Sequence, residues 1–389
     1  MSEFAPVARP EIVALRGSKI REVANAGFGR TDVLPFWFGE SDRATPDFIR
    51  DAAVRALNEG RTFYTHNLGR LDLREALAAY LSRLHGTGVD VERLAITSSG
   101  VNALMVAAEA LLSPGDRVVV VDPVWPNVAE IPKIMGARVA TVPIRPCKGR
   151  FALDLDRLMD ALTPDTRALF LNSPNNPTGW ILPAEHRAAV LERCRRHGTW
   201  LIADDVYERL HFGEAPSAPS FLPMIDAQDR VVSANSFSKA WRMTGWRLGW
   251  LVAPPALVER LGVLLEYNTS CAPDFVQSAA LAALTEGEPH IAELRAELAE
   301  SRDRLVGALR AMPGVEAPMP DGGMYAFFRL AHCDDSLATA KRLVAEAGLG
   351  VAPGAAFGED GEGWLRWCFA AEPDKLEAGL ARLTAWLAR

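Results

Sequence analysis

Seven short apolar runs recur between residues 94 and 253, at 94–97, 117–122, 138–142, 167–172, 199–204, 230–234 and 248–253, and helical patterns fill most of the gaps between them. Short continuous runs are what strands covered on both faces require. Their alternation with helices implies right-handed crossovers, so the spacing predicts an α/β fold whose large domain holds a mainly parallel, seven-stranded sheet sandwiched by helices. The clearest helix starts at Pro183, carries Arg195, Arg196 and His197 in its last turn and stops at Gly198, in keeping with proline entry, glycine exit and the helix dipole.

At 389 residues the chain exceeds what one core supports, so two domains are expected. Ahead of the alternating region come a helical stretch near 47–58, the aromatic loop Phe63-Tyr64-Thr65-His66-Asn67 and a helix over 70–84. The first forty residues offer one amphipathic stretch (Ile12, Leu15, Ile20, Val23) and a strand-like segment at 33–38, which reads as an arm. After residue 285 the pattern changes. A long helix with Leu294, Leu298, Leu305 and Leu309 ends at Pro313-Gly314; strand-like Tyr325–Phe328, a helix opened by Ser336 and closed by Gly348, strand-like Trp364–Phe369 and a final helix follow. The expected division is an arm with part of the small domain over 1–47, the large domain over 48–290 and a small α+β domain over 291–389.

A net charge of −7 gives nucleic acid no general electrostatic attraction, which leaves small molecules as the expected partners. Cys147, Cys194, Cys271, Cys333 and Cys368 are odd in number and scattered, so neither a disulfide framework nor a metal site is expected and a reducing cytoplasm fits. The start of the chain lacks a basic-then-apolar export signal, and no apolar run approaches the ~20 residues that span a membrane.

Residues suited to chemistry collect just past the carboxyl ends of the expected strands, the edge at which open parallel sheets bind ligands. Trp125 follows the strand ending at Asp122. Asn175-Asn176-Pro177-Thr178-Gly179 follows the next, Asp204-Asp205-Val206-Tyr207 closes another, and Ser236-Phe237-Ser238-Lys239 follows the run at 230–234. Lys239, among small hydroxyls, aromatics and Gly245, has the setting of an amine kept from bulk water with a depressed pKa, ready to attack a carbonyl.

Together these segments resemble the fold-type I, class I/II aminotransferases of the aspartate aminotransferase superfamily, from Gly39 to Arg366. The strongest matches are Ser-Pro-Asn-Asn-Pro-Thr-Gly at 173–179 and the segment from Lys239 to Arg247. The resemblance implies pyridoxal 5′-phosphate (PLP) bound by the large domain and a homodimer with shared active sites. Lys239 is similar to the family's Schiff-base lysine, and Asp204 to the aspartate that keeps the pyridine nitrogen protonated. Asn176 and Tyr207 resemble the pair at the cofactor's phenolic oxygen, and Trp125 the aromatic stacked on its ring. Ser99, Gly100 and Val101, opening a helix that runs through Leu112, resemble the phosphate cradle, with Ser236 and Arg247 completing it. Tyr64 resembles the tyrosine that reaches the phosphate from a neighbouring subunit. Arg366 is similar to the arginine that grips the substrate α-carboxylate, with Gly39, Asn176 and Trp125 beside the substrate.

Each residue also has a plainer reading: a helix cap for Asp204, an internal salt bridge for Arg366, a packed loop aromatic for Tyr64. Asp205 competes with Asp204, and the three-residue offset to Tyr207 favours Asp204. The resemblance implies ping-pong transfer between an L-amino acid and a 2-oxo acid, with Lys239 moving a proton at Cα as base and then acid. The rival is a PLP lyase or synthase acting at Cβ or Cγ. A PLP-retaining transcriptional regulator is expected to need an added DNA-binding segment ahead of the arm. Aspartate-specific branches place a lysine where this chain has Val101, or an arginine where it has Glu266-Tyr267-Asn268, so a neutral or aromatic donor is expected unless Arg43 or the arm supplies a cation.

Overall fold

Eight strands form the larger sheet of the computed structural model, which describes residues 8–331 and 333–389. They are β1 (Leu94–Thr97), β2 (Arg117–Asp122), β3 (Arg138–Cys147), β4 (Arg150–Leu153), β5 (Thr166–Asn172), β6 (Trp200–Asp204), β7 (Val231–Ser236) and β8 (Gly249–Val252), in the spatial order β1-β8-β7-β6-β5-β2-β3-β4. Residues 1–7, part of the stretch read for an export signal, lie outside the described residues.

The expected count of seven is corrected by β4, and the sheet is mixed. Four of its pairings are parallel and three antiparallel, because β8 runs against both neighbours and β4 folds back on β3. The turn joining β3 to β4 is Lys148-Gly149, with φ of 49° and 77°, the left-handed pair that two-residue hairpins favour.

Burial explains why the central strands read as unbroken apolar runs. Val118 and Val120 of β2 join the core beneath helices Gly100–Leu111 and Pro255–Asn268, whereas Val119 and Val121 join the core of the opposite face, with Val190 and Leu191 of helix Ala184–His197. Alternation disappears when both faces are covered. Gly198 closes that last helix in the left-handed conformation at φ 66°.

The smaller sheet is antiparallel and contains β9 (Val315–Glu316), β10 (Tyr325–Leu330), β11 (Ala352–Pro353) and β12 (Trp364–Cys368), in the order β9-β10-β12-β11. Asp335, rather than Ser336, caps helix Ser336–Ala347 by accepting from Ala338 N–H at 2.8 Å. The N-terminal stretch forms two helices instead of one, Pro10–Val13 and Lys19–Gly27. Leu34–Pro35 then pairs in parallel with Leu349–Gly350, tying the start of the chain to its C-terminal part.

Gly249 marks where β8 crosses closest to the start of helix Gly100–Leu111. A Cβ there would lie 2.6 Å from both the Asn235 carbonyl oxygen and the Gly100 nitrogen. Backbone cannot step aside as a side chain can, so Gly249→Ala is predicted to destabilise the protein by about 1–3 kcal/mol, the usual cost of overpacking. Chemical denaturation of the variant beside the parent checks this, and an unchanged midpoint would show that the contact relaxes freely.

Candidate active site

Segments leaving β2, β5, β6 and β7 line one cavity of about 260 Å³, closed from the small-sheet side by Tyr325 and Arg366. The Asn175–Gly179 turn holds its shape through Asn175 Oδ1, which accepts from the Thr178 N–H at 3.1 Å and the Thr178 hydroxyl at 2.7 Å. Asn176 N–H donates to Asn172 Oδ1 at 2.7 Å. Asn176 Oδ1 is thereby aimed at Arg366, whose Nη1 donates to it at 2.9 Å. The second terminal nitrogen of Arg366 donates to the Trp37 carbonyl, and its guanidinium lies between the rings of Tyr325 (4.4 Å) and Phe357 (4.8 Å).

The two ends of the cavity carry opposite electrostatic deficits. Asp204 is 5% exposed, and its carboxylate accepts one long hydrogen bond, from Val206 N–H at 3.4 Å. Burial, reinforced by the negative charge of Asp205, pushes it up to about 7. At the other end stand Arg247, Ser236, Ser238 and the start of helix Gly100–Leu111. Ser99 satisfies the N–H groups of Asn102 (3.0 Å, side chain) and Ala103 (2.9 Å, backbone), which leaves those of Gly100 and Val101 for a ligand. Arg247 is lowered by burial and donates to the Ser238 hydroxyl at 3.4 Å and to the Thr244 carbonyl. Lys239 lines the same cavity, and its Nζ donates to the Gly39 carbonyl. Burial, together with the charges of Arg366 and Arg247, lowers it to about 8.

The chain matches the family model for class I and II aminotransferases over residues 31–383. It is 34% identical over 376 residues to an aspartate aminotransferase of Pyrococcus horikoshii, covering 96% of this chain and 95% of the relative. It is 35% identical over 339 residues to an arginine–pyruvate transaminase of Pseudomonas aeruginosa, covering 86% and 85%. The crystal structure of an aromatic aminotransferase from Pyrococcus horikoshii superposes with a TM-score of 0.85 at 32% identity, covering 94% of this chain and 98% of that one. The chain belongs to the class I and II aminotransferases. It is therefore an amino-group transfer enzyme, the family implies PLP as its cofactor, and lyase or synthase chemistry is not favoured.

The aminotransferase's cavity fits that cofactor on its own terms: a buried carboxylate and, apart from it, a guanidinium with two free N–H groups, neither ion-paired among the described residues, share one space with a weakly basic amine. Gly39, Gly100, Val101, Trp125, Asn176, Asp204, Tyr207, Ser236, Lys239, Arg247 and Arg366 all line it. Ser99 does not; its side chain caps the helix behind. Tyr64 is 90% exposed on the surface. Asp205 faces away from the cavity and accepts from the Ser233 hydroxyl at 2.6 Å. Arg43, considered as a source of substrate-binding charge, is instead paired with Glu297 and Glu372, both at 2.5 Å.

Sequence reasoning missed Ile20, Phe38, Ser238 and Tyr325, which also line the cavity. Ser238 had a usable signal in its place one residue before Lys239; the others had none, because distant elements carry them in.

The chain has six lysines, so Lys239 can be followed individually. In the cofactor-free protein its acylation by an amine reagent is predicted to rise with pH around a midpoint near 8, below the ordinary value of about 10.4 for a lysine in water. Quantitative peptide mass spectrometry reads it, and a Lys239 midpoint at the ordinary value would contradict the burial argument.

Proposed function

We propose that the cavity holds PLP between Asp204 and the Arg247 end and transfers amino groups between a neutral or aromatic L-amino acid and a 2-oxo acid. The observation that carries this reading is the placement of Asp204, Lys239, Arg247 and Arg366 around one cavity with complementary unmet charges. Ser236, Ser238, Arg247 and the N–H groups of Gly100 and Val101 would take the phosphate, and Ser99 supports that helix start. Asp204 would hold the ring nitrogen, Trp125 the ring face, Asn176 and Tyr207 the phenolic oxygen, and Lys239 the reactive carbonyl. When bound, PLP supplies a sink for the electron pair released at Cα.

Arg366 then binds the substrate carboxylate, its guanidinium already oriented by Asn176, Trp37 and two aromatic faces. Gly39 lets the backbone lie against Tyr325 beside that approach, since a side chain there would strike the Tyr325 hydroxyl. Lys239 Nζ, weakly basic through burial, would take the proton from Cα as base and give it up again as acid. Aspartate, arginine and aromatic substrates are named for different relatives. A neutral or aromatic side chain is favoured here because Ile20, Phe38, Val101 and Trp125 line the cavity, and its only cations among the described residues are Lys239, Arg247 and Arg366.

A homodimer is supported by Phe63 and Tyr64, 81% and 90% exposed on one loop, and by a groove of about 780 Å³ that adjoins the cavity at Thr244 and Arg247. Such a loop from a second copy would bring Tyr64 to the phosphate end. The large domain over 48–290 would bind the cofactor, with 1–47 and 291–389 completing the small one, and five free cysteines suit a cytoplasmic setting.

Lys239→Ala is predicted to abolish both the visible absorbance of the PLP-loaded protein and turnover. Asp204→Ala should lower kcat by roughly 10²-fold or more, in line with the loss of a charge that acts on the reacting system. In a donor and acceptor screen, aromatic or neutral donors should exceed aspartate in kcat/KM by roughly tenfold or more, the scale of one unmatched polar contact. Many turnovers to ammonia without a 2-oxo acid would reject transamination.

A further inference from the structure

Tyr325, the first residue of β10, is fully buried, and its hydroxyl lies 2.6 Å from that of Tyr207, 118 positions away in the chain. Its ring supports the Arg366 guanidinium at 4.4 Å. The bare Cα of Gly39 makes room for its hydroxyl, and the Gly39 carbonyl is the acceptor of Lys239 Nζ. One side chain thus meets three parts of the site.

Each phenol has one proton to donate. Among the described residues neither hydroxyl has another hydrogen-bond partner, so the 2.6 Å contact forces a choice of direction. If Tyr207 donates to Tyr325, its proton is spent inside the wall and the cavity receives no donor from it. If Tyr325 donates, the Tyr207 proton is free to turn inward. A cation stands over each ring, Arg366 over Tyr325 at 4.4 Å and Lys239 over Tyr207 at 5.9 Å, and the closer one draws more electron density and makes Tyr325 the better donor.

We infer that Tyr325 is a positioning residue: its hydroxyl donates to Tyr207 and so aims the Tyr207 proton at the cofactor's phenolic oxygen, while its ring seats the arginine that binds the substrate carboxylate. This rests on the roles proposed above for Tyr207 and Arg366. Two separable effects follow. Losing the hydroxyl weakens the donation that favours the ionised phenolic oxygen, so the pH at which the bound cofactor's visible absorbance changes should move up. Losing the ring as well should loosen Arg366 and raise KM for the amino acid.

The test compares PLP-loaded Tyr207→Phe, Tyr325→Phe, their double variant and Tyr325→Leu by absorbance titration and steady-state kinetics. Tyr207→Phe should raise the titration midpoint by about one unit and Tyr325→Phe by about half a unit, and the double variant should match Tyr207→Phe alone, because the second hydroxyl acts through the first. Tyr325→Leu should raise KM roughly 2- to 30-fold beyond Tyr325→Phe. A shift in Tyr207→Phe with none in Tyr325→Phe, or additive shifts in the double variant, would overturn the inference and leave the proposed function standing; no shift in either would remove the role of Tyr207 and the inference with it. An unchanged KM in Tyr325→Leu would overturn the seating of Arg366. Circular dichroism checks folding, and if Tyr325→Phe fails it, Gly39→Ala, which pushes the same hydroxyl aside, replaces it: an upward shift upholds the inference and no shift overturns it.

Discussion

A carboxylate buried without an ion-pair partner among the described residues is the constraint around which this molecule is organised. Asp204 is fixed by pairing on both sides of its strand, opposite Asn172 on β5 and Ala234 on β7, and the Asn172 amide donates to its carbonyl at 3.1 Å. Rigid backbone therefore holds the charged form where water cannot solvate it, a state that costs several kcal/mol unless a partner arrives. The opposite end of the cavity has the complementary lack, cationic and N–H groups with no anion. A ligand cationic at one pole and anionic at the other relieves both deficits in one event, and a uniformly charged or apolar ligand relieves neither.

Lys239, Arg247 and Arg366 converge on this one small space, and the arrangement survives because the turn that carries two of them is braced from outside. Arg242 and Arg247 both adopt left-handed backbone, at φ 52° and 53°, which a residue with a Cβ tolerates only when its surroundings over-determine it. Glu297 pairs with Arg242 at 2.6 Å, Thr45 donates to the Arg242 carbonyl at 2.6 Å, and the Trp246 indole donates to Thr45 at 2.9 Å. Glu297 also holds Arg43, so the segment after Gly39 and the turn after Lys239 are fastened to the same long helix. Arg43 is thus structural, and its charge is consumed before a substrate could meet it.

What was legible in the sequence follows from how locally each feature is specified. Trp125, Asn176, Asp204 and Lys239 each sit within a few residues of a strand end, and strand ends in a parallel sheet share one rim, so the pattern of runs already places them together. Tyr325 was not legible, because its meaning depends on a hydroxyl 118 residues earlier and on the crossing of two sheets. Ile20 was missed for the same reason: residues 1–47 read as an arm with part of the small domain, with nothing to show that its second helix lines the cavity. The eighth strand is a different kind of miss. Lys148-Gly149 followed by Arg150-Phe151-Ala152-Leu153 carries a hairpin signal, but four alternating residues make too short a pattern to outweigh a loop.

The neighbouring carboxylates Asp204 and Asp205 show why proximity alone does not assign a role. Successive residues at the end of a strand point to opposite sides, and here one side is the cavity and the other a buried polar network. Asp205 accepts from Ser233 at 2.6 Å; close by, Glu208 pairs with His85 at 3.2 Å and accepts from Asn235 at 2.7 Å, whose own side-chain oxygen accepts the Ser236 N–H at 2.7 Å. Asp205 is therefore committed to the scaffold that shapes the Arg247 end of the cavity, and its carboxylate has a partner. Asp204 has almost none. Exchanging their places would require the strand to slip by one residue and expose every buried neighbour, so the different surroundings of these two acids are enforced by the pleat of β6 and not by any difference in their chemistry.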